Sequence, residues 1–173
     1  MKDVSDNNFQ LQLPAFQLGF LVNPLAGLGG SVALKGSDGV AVEALARGAI
    51  PRAPERAQAV LEALLPWQDR IHVLTAAGAM GADMATALGY KVSVVHQPAE
   101  ETFAADTEAT ARAISEKGAD LLLFAGGDGT ARDICRAVGL TVPVLGVPAG
   151  VKMHSGVFAV TPRAAAEVLQ LML

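Results

Sequence analysis

Apolar runs of strand length recur along the chain, and each is followed by a more polar stretch. The runs are Phe16–Val22, Ile71–Ala77, Lys91–His96, Asp120–Gly126 and Val142–Val147. Most of them are continuously apolar rather than alternating, which is typical of parallel strands covered on both faces. The pattern therefore predicts a parallel sheet between two outer layers.

Segments with helical periodicity lie between these runs. They are Ala53–Leu65, Gly81–Gly89, Ala105–Gly118 and Thr130–Gly139, and three of them end in glycine, a common helix stop. Near the C-terminus, Thr161 suits a helix cap and Pro162 a first helical position. Strand alternating with helix indicates right-handed βαβ units. We therefore predict an open, doubly wound α/β domain with a mostly parallel sheet and helices on both faces.

Composition narrows the class of protein and its partners. The chain has 173 residues, which suits one domain, and its net charge of −4 with only 5% aromatic residues disfavours a nucleic-acid partner. No apolar run reaches the length of a bilayer span, and the N-terminal MKDVSDNNFQ lacks the basic start and apolar block of a signal peptide. We expect a cytoplasmic protein with no membrane partner. Whether it forms a homo-oligomer is left open.

The single cysteine limits the chemistry further. Cys135 alone cannot form an internal disulfide or a cysteine-based zinc cluster. Its spacing along the segment after Thr130 predicts a place on the apolar face of a helix. We expect Cys135 to pack in the core.

A glycine-rich stretch, GGDGT at Gly126–Thr130, follows the fourth apolar run. Asp-Gly between apolar segments often marks a hairpin, but Ala131, Ile134 and Val138 recur at helical spacing, which indicates strand, loop and helix. Ligands of open α/β sheets bind at the carboxyl ends of strands, and glycines let a phosphate approach a helix N-terminus.

The carboxylate of Asp128 is out of place in a plain phosphate loop, because it repels an anion. It is explained if Asp128 holds a metal or accepts a proton from an attacking hydroxyl. A role in stabilising the helix N-terminus, worth at most about 1 kcal/mol, is the alternative. For Thr130 alone, helix capping is the simpler interpretation.

Other candidate residues lie in loops. Asn23 and Gly27 belong to NPLAG, directly after the first apolar run. Lys35 and Asp38 lie in a long glycine-rich segment and are candidates for contacting phosphate, with a solvated loop and a simple turn as the alternatives. His154 follows the last strand, where a ligand would be near; a loop histidine without a catalytic role is its alternative.

These motifs resemble those of a known superfamily. GGDGT is similar to the signature shared by NAD kinases and by diacylglycerol and sphingosine kinases, and NPLAG resembles their NP phosphate loop. The pair NPLAGLGGSVALKGSDG and GVPAGVKMHSGVFAVTP resembles the ATP-NAD kinase-like proteins of the acetoin-associated, AcoX-like branch. The resemblance covers the chain from Phe20 onward.

The resemblance implies a fold and a reaction. The fold is an N-terminal α/β domain followed by an all-β domain that completes the dinucleotide site; residues 1–173 would form the first domain and lack the second. The reaction is transfer of the γ-phosphoryl group of ATP, or of polyphosphate, to the 2′-hydroxyl of NAD, giving NADP. An isolated first domain would be an incomplete enzyme; a complete single-domain protein whose last helix docks on the sheet is the alternative.

The resemblance also implies roles for single residues. Asp128 would accept the proton, and Asp128 with Gly129 would contact NAD. The phosphates would be lined by Asn23, Gly27, Gly126, Gly127, Gly129 and Thr130, with Mg²⁺ neutralising the charge between them.

The identity of the phosphoryl acceptor is left open, and so is the choice between an enzyme and a binding module. The stretch GVPAGVKMHSGVFA replaces the G..GFL-like loop of ordinary NAD kinases, so a kinase for another small molecule is an alternative. A non-catalytic nucleotide- or dinucleotide-binding or sensing module is another. A lipid kinase is weaker, because no amphipathic segment suits a membrane surface.

Overall fold

A computed structural model of the chain describes residues 15–28, 48, 50–99, 102–150 and 153–173. The described residues form a five-stranded, wholly parallel sheet in the order β3-β2-β1-β4-β5. The strands are β1 (Phe16–Val22), β2 (Ile71–Ala76), β3 (Lys91–His96), β4 (Leu121–Gly126) and β5 (Val144–Pro148). The predicted α/β fold with a parallel sheet is confirmed.

Helices of the described residues cover both faces of this sheet. They are α1 (Arg52–Ala63), α2 (Ala82–Ala87), α3 (Ala104–Glu116), α4 (Asp128–Val138) and α5 (Pro162–Met172), with short 3-10 helices at Leu65–Arg70 and Gly78–Met80. The predicted cap of α5 is confirmed, because the Thr161 hydroxyl oxygen accepts a hydrogen bond of 3.1 Å from the Ala164 amide. None of the helices in the described ranges is long and apolar enough to cross a membrane.

The core consists of two apolar layers, one on each side of the sheet. One layer joins α1 and α5 to side chains of β1 such as Phe20, and the other joins α3 and α4 to β-strand side chains such as Leu21 and Phe124. Every residue of β4 is buried, which explains why its sequence is continuously apolar.

The order of the strands places a switch point between β1 and β4. From β1 the chain first builds outward through β2 to β3, and it then returns to the other side of β1 to add β4 and β5. Val22 and Ala125, near the ends of the two strands, are in register. Crevices at such reversals are the usual ligand sites of open α/β sheets.

The chain after β5 returns along the free edge of that strand. The Gly146 amide donates to the Val157 carbonyl and the Ala159 amide donates to the Gly146 carbonyl, both at 2.8 Å. A side chain at Gly146 would not fit, since an ideal Cβ would lie 2.5 Å from the ring of Phe158. This pairing holds residues 153–159 in place and brings His154 and Ser155 to the start of α4.

Most predicted boundaries differ from the observed ones by one or two residues, and two of these differences concern the elements around the site. β5 begins at Val144 rather than Val142, since Pro143 has no amide hydrogen for a ladder bond. Helix α4 begins at Asp128, with Gly127 as its extended N-cap. Thr130 is therefore inside the first turn, and the interpretation of Thr130 as a cap is wrong.

Candidate functional site

The two loops that the sequence singles out meet at the switch point. The backbone amide of Asn23 donates to the Ala125 carbonyl at 2.9 Å. The side-chain amide of Asn23 donates to the Thr130 hydroxyl at 3.0 Å. The Asn23 side-chain oxygen accepts from the Leu25 amide at 3.1 Å. Asn23 and Thr130 are thus hydrogen-bonded to each other, and Thr130 is only 5% exposed.

Close packing explains the glycines on both sides of this contact. Gly27 has φ +89°, and an ideal Cβ there would lie 2.5 Å from the Ala149 carbonyl oxygen. A Cβ at Gly126 would lie 2.6 Å from the Thr130 hydroxyl. Gly127 differs, because nothing lies within 4 Å of its ideal Cβ position. Of Gly27, Gly126 and Gly127, Gly127 alone has open space beside its backbone.

Asp128 is the first residue of α4, and its carboxylate faces the returning segment. Oδ1 accepts from the Ser155 hydroxyl at 2.7 Å and from the Ser155 amide at 2.9 Å. The His154 amide donates to Oδ2 at 2.9 Å and, more weakly, to Oδ1 at 3.2 Å. These donors, the Ser155 hydroxyl first, hold the pKa of Asp128 below its usual range. The side chain is a carboxylate at neutral pH.

An open cavity of about 470 Å³ lies beside this carboxylate. Its volume is in the range of small-molecule sites. The lining residues are Asp128, Ala131, Arg132, Cys135, His154 and Ser155. Four of them repeat along one side of α4 at helical spacing, so the cavity is built from one helix face and the returning segment.

Arg132 brings a cation into the cavity. It stands four residues after Asp128, a spacing that favours an ion pair within a helix. The carboxylate is instead hydrogen-bonded to residues 154 and 155. Within the described part of the chain Arg132 makes no ion pair or hydrogen bond, and it is exposed.

The expectation that Cys135 packs in the core is wrong. It is exposed and lines the cavity rather than packing in the core. The buried side of α4 is formed by Thr130, Ala131, Ile134 and Val138. Cys135 follows Ile134 by about 100° around the helix, which puts it on the border of the apolar face.

The predicted site residues are only partly brought to the cavity. Asp128 and His154 line it. Asn23, Gly27, Gly126, Gly127, Gly129 and Thr130 gather at the switch point, but they are not among the described lining residues. Lys35 and Asp38 lie outside the described residues.

The sequence analysis did not predict four of the lining residues as site residues: Ala131, Arg132, Cys135 and Ser155. Arg132 could have been found from its position four residues after Asp128, on the same helix face. Ser155 carries no such signal, because it is separated from Asp128 by 27 residues and meets it only through the fold. The described ranges contain no group of three or more His, Cys, Asp or Glu side chains suited to a metal ion.

The fold and the site define a class of protein. A glycine-rich strand-to-helix turn at the switch point of a parallel sheet is typical of α/β domains that bind phosphate-bearing ligands. Residues 18–173 match the family model of the ATP-NAD kinase N-terminal domain, and the chain belongs to that family. The resemblance is thereby confirmed at the level of the family, whose chemistry is kinase-like phosphotransfer. A search of curated proteins finds no match.

Proposed function

We propose that the protein transfers the γ-phosphoryl group of ATP, or of polyphosphate, to the 2′-hydroxyl of NAD, with Asp128 as the proton acceptor. The observation that carries this proposal is the ionised Asp128 at the start of α4, beside the 470 Å³ cavity. The acceptor hydroxyl gives its proton to Asp128, its oxygen bonds to the γ-phosphorus, and the bond to the leaving ADP oxygen breaks.

The hydrogen bonds of Asp128 leave one oxygen for this task. A carboxylate oxygen has two lone pairs, and Oδ1 already accepts from both donors of Ser155. Among the donors in the described residues, only the His154 amide donates to Oδ2. The second lone pair of Oδ2 is therefore the one available for a substrate hydroxyl.

The charges around the cavity favour a phosphorylated ligand. The donors of residues 154 and 155 offset the negative charge of Asp128, while Arg132 has no described partner. A guanidinium at this place stabilises the charge that develops on a transferring phosphoryl group. Mg²⁺ would arrive on the phosphates of the nucleotide, since this ion is usually held by substrate phosphates together with waters and one or two carboxylates.

One observation favours the second candidate, a non-catalytic nucleotide-binding module. The carboxylate of Asp128 already holds the returning segment through hydrogen bonds from residues 154 and 155. Such a carboxylate would have a sufficient role as a structural anchor.

The decisive experiment replaces Asp128 in the full-length protein. We expect Asp128→Asn to lower turnover of NAD to NADP by about 10² to 10⁴, because a general base is lost, while the affinity for ATP changes only a few-fold. Formation of NADP and calorimetric binding of ATP·Mg²⁺ measure the two effects. Asp83→Asn, an exposed acidic residue of α2, is the matched control.

Two results would contradict phosphotransfer by Asp128. Full turnover in Asp128→Asn excludes Asp128 as the proton acceptor. Absence of turnover in the parent protein with every donor, together with tighter anion binding by Asp128→Asn, supports the binding module. Replacing NAD by other hydroxyl-bearing small molecules in the same assay tests the acceptor.

The proposed reaction also sets the expected surroundings of the protein. ATP, NAD and Mg²⁺ are all present in the cytoplasm. We propose that the protein acts there on the two nucleotides, with Mg²⁺ as cofactor.

A further inference from the structure

Among the described residues, Ser155 does most to stabilise the ionised form of the Asp128 carboxylate, through hydrogen bonds from its hydroxyl and its amide. We propose that Ser155 is a positioning residue that orients the Asp128 carboxylate and leaves Oδ2 as the oxygen that receives the proton. The catalytic part of this inference rests on the proposed function, whereas the orientation of the carboxylate does not.

Two donors of one residue converge on one oxygen. The Ser155 hydroxyl and amide lie 2.7 and 2.9 Å from Oδ1, and together they occupy its lone pairs. With a single donor, a carboxylate can still rotate about its Cβ–Cγ bond. Two donors on Oδ1 and the His154 amide on Oδ2 together fix the plane of the Asp128 carboxylate. The orientation therefore depends on Ser155.

The returning segment gives Ser155 a firm support. Residues 157 and 159 are hydrogen-bonded to both sides of Gly146 on the edge of β5. The ring of Phe158 lies 5.4 Å from that of Phe124, a buried residue of β4. Ser155 is thus linked to the sheet within a few residues.

Ser155 also prevents a competing contact. Without its two donors, the carboxylate would be free to pair with Arg132, four residues later in the same helix. That ion pair would take both the proton acceptor and the cation out of use. Ser155 keeps the two groups apart, which leaves Arg132 available to a phosphate.

A titration by nuclear magnetic resonance tests the orientation without any turnover. In protein labelled with ¹³C at the aspartate carboxyl carbons, the Asp128 signal is assigned by its loss in Asp128→Asn. We expect Ser155→Ala to raise the titration midpoint of Asp128, because the largest stabiliser of the ionised form is removed. The other titratable and charged groups facing Asp128 in the described chain are Arg132, Cys135 and His154, and these are the same in both proteins.

Matched variants separate this effect from a general change of the fold. Ser155→Thr keeps the hydroxyl and should return the midpoint to its parent value. Ser115→Ala removes a serine hydroxyl that is bonded to Thr141 at 2.7 Å, outside the cavity lining, and should leave the midpoint unchanged. An Asp128 midpoint that does not move in Ser155→Ala overturns the proposal.

Kinetics test the catalytic part. We expect Ser155→Ala to lower kcat about tenfold, since a misplaced catalytic group is costly, with little change in KM and with the acid limb of the pH profile moved to higher pH. Ser155→Thr should restore kcat. Unchanged kcat in Ser155→Ala, with a strong loss in Asp128→Asn, overturns the positioning role. A parent protein without turnover contradicts the proposed function alone, and the titration then decides whether Ser155 orients Asp128.

Discussion

The loop after β1 and the loop after β4 both follow an apolar strand and both contain glycine, but their surroundings differ. The first loop, residues 23–28, is turned inward: Ala26 and Leu28 are buried, and Asn23 is hydrogen-bonded to the second loop. The second loop, Gly126–Thr130, runs into a helix with one face on an open cavity. Gly27 in the first loop serves packing, whereas Gly127 in the second has open space beside its backbone.

Gly27 and Gly127 show this difference most clearly. Gly27 combines a left-handed backbone with a carbonyl oxygen 2.5 Å from where a Cβ would lie. Gly127 has φ −108°, which any residue adopts, and open space at the same position. Substitutions at these two glycines should therefore affect different properties.

The largest expected effect is that of Gly27→Ala on stability. The positive φ and the overlap with the Ala149 carbonyl together should cost roughly 2–4 kcal/mol of unfolding free energy. Urea denaturation measures the loss. The matched control is Gly127→Ala, which should cost only about 0.5–1 kcal/mol, because alanine is a poorer N-cap than glycine. Equal losses in both variants would contradict the distinction between the two loops.

Asn23→Ala should have an intermediate effect. It removes the bonds to Thr130 and Leu25, and two hydrogen bonds contribute about 1–3 kcal/mol. Urea denaturation and calorimetric binding of ATP·Mg²⁺ together measure the result, with Gln58→Ala, which removes an exposed bond to Glu62 on α1, as the control. A stability close to that of the parent with an ATP affinity reduced tenfold or more would show that the first loop binds the ligand directly.

The smallest expected effect is on the pH dependence of stability. The pKa of Asp128 lies below the ordinary 3.8 because of the Ser155 hydroxyl and the two amides. The stabilisation from these bonds is therefore fully present above about pH 4 and is lost as the pH falls through the lower pKa of the folded state.

Urea midpoints at pH 7 and pH 3 measure this difference. Asp128→Asn should lose less stability on acidification than the parent, whereas Asn23→Ala should keep the acid dependence of the parent, since residues 23–28 contain no ionisable side chain. Asp106, whose pKa is lowered by its hydrogen bond to His96, contributes equally to all these proteins. If Asp128→Asn and the parent lost the same stability between pH 7 and pH 3, the hydrogen bonds from residues 154 and 155 would not stabilise the ionised Asp128.

Sequence pattern alone determined the layers of this protein and the place of its site. The continuous apolar run of β4 must be buried on both faces, and the helical spacing of Ala131, Ile134 and Val138 must follow it as a helix. These periodicities are local, and hydrophobic burial acts on them in the same way in any α/β fold. The pattern placed Asp128 in the loop just before this helix, and the structure makes it the first helical residue.

Only the tertiary structure decided what Asp128 and Asn23 touch. The order β3-β2-β1-β4-β5 brings Asn23 next to Thr130, and the pairing at Gly146 carries Ser155 to the Asp128 carboxylate. Cys135 was misplaced for a related reason, since a residue on the border of an apolar helix face is buried or exposed according to what packs beside it. Hydrogen bonds between residues 27 or 107 positions apart depend on chain reversals that no local periodicity records.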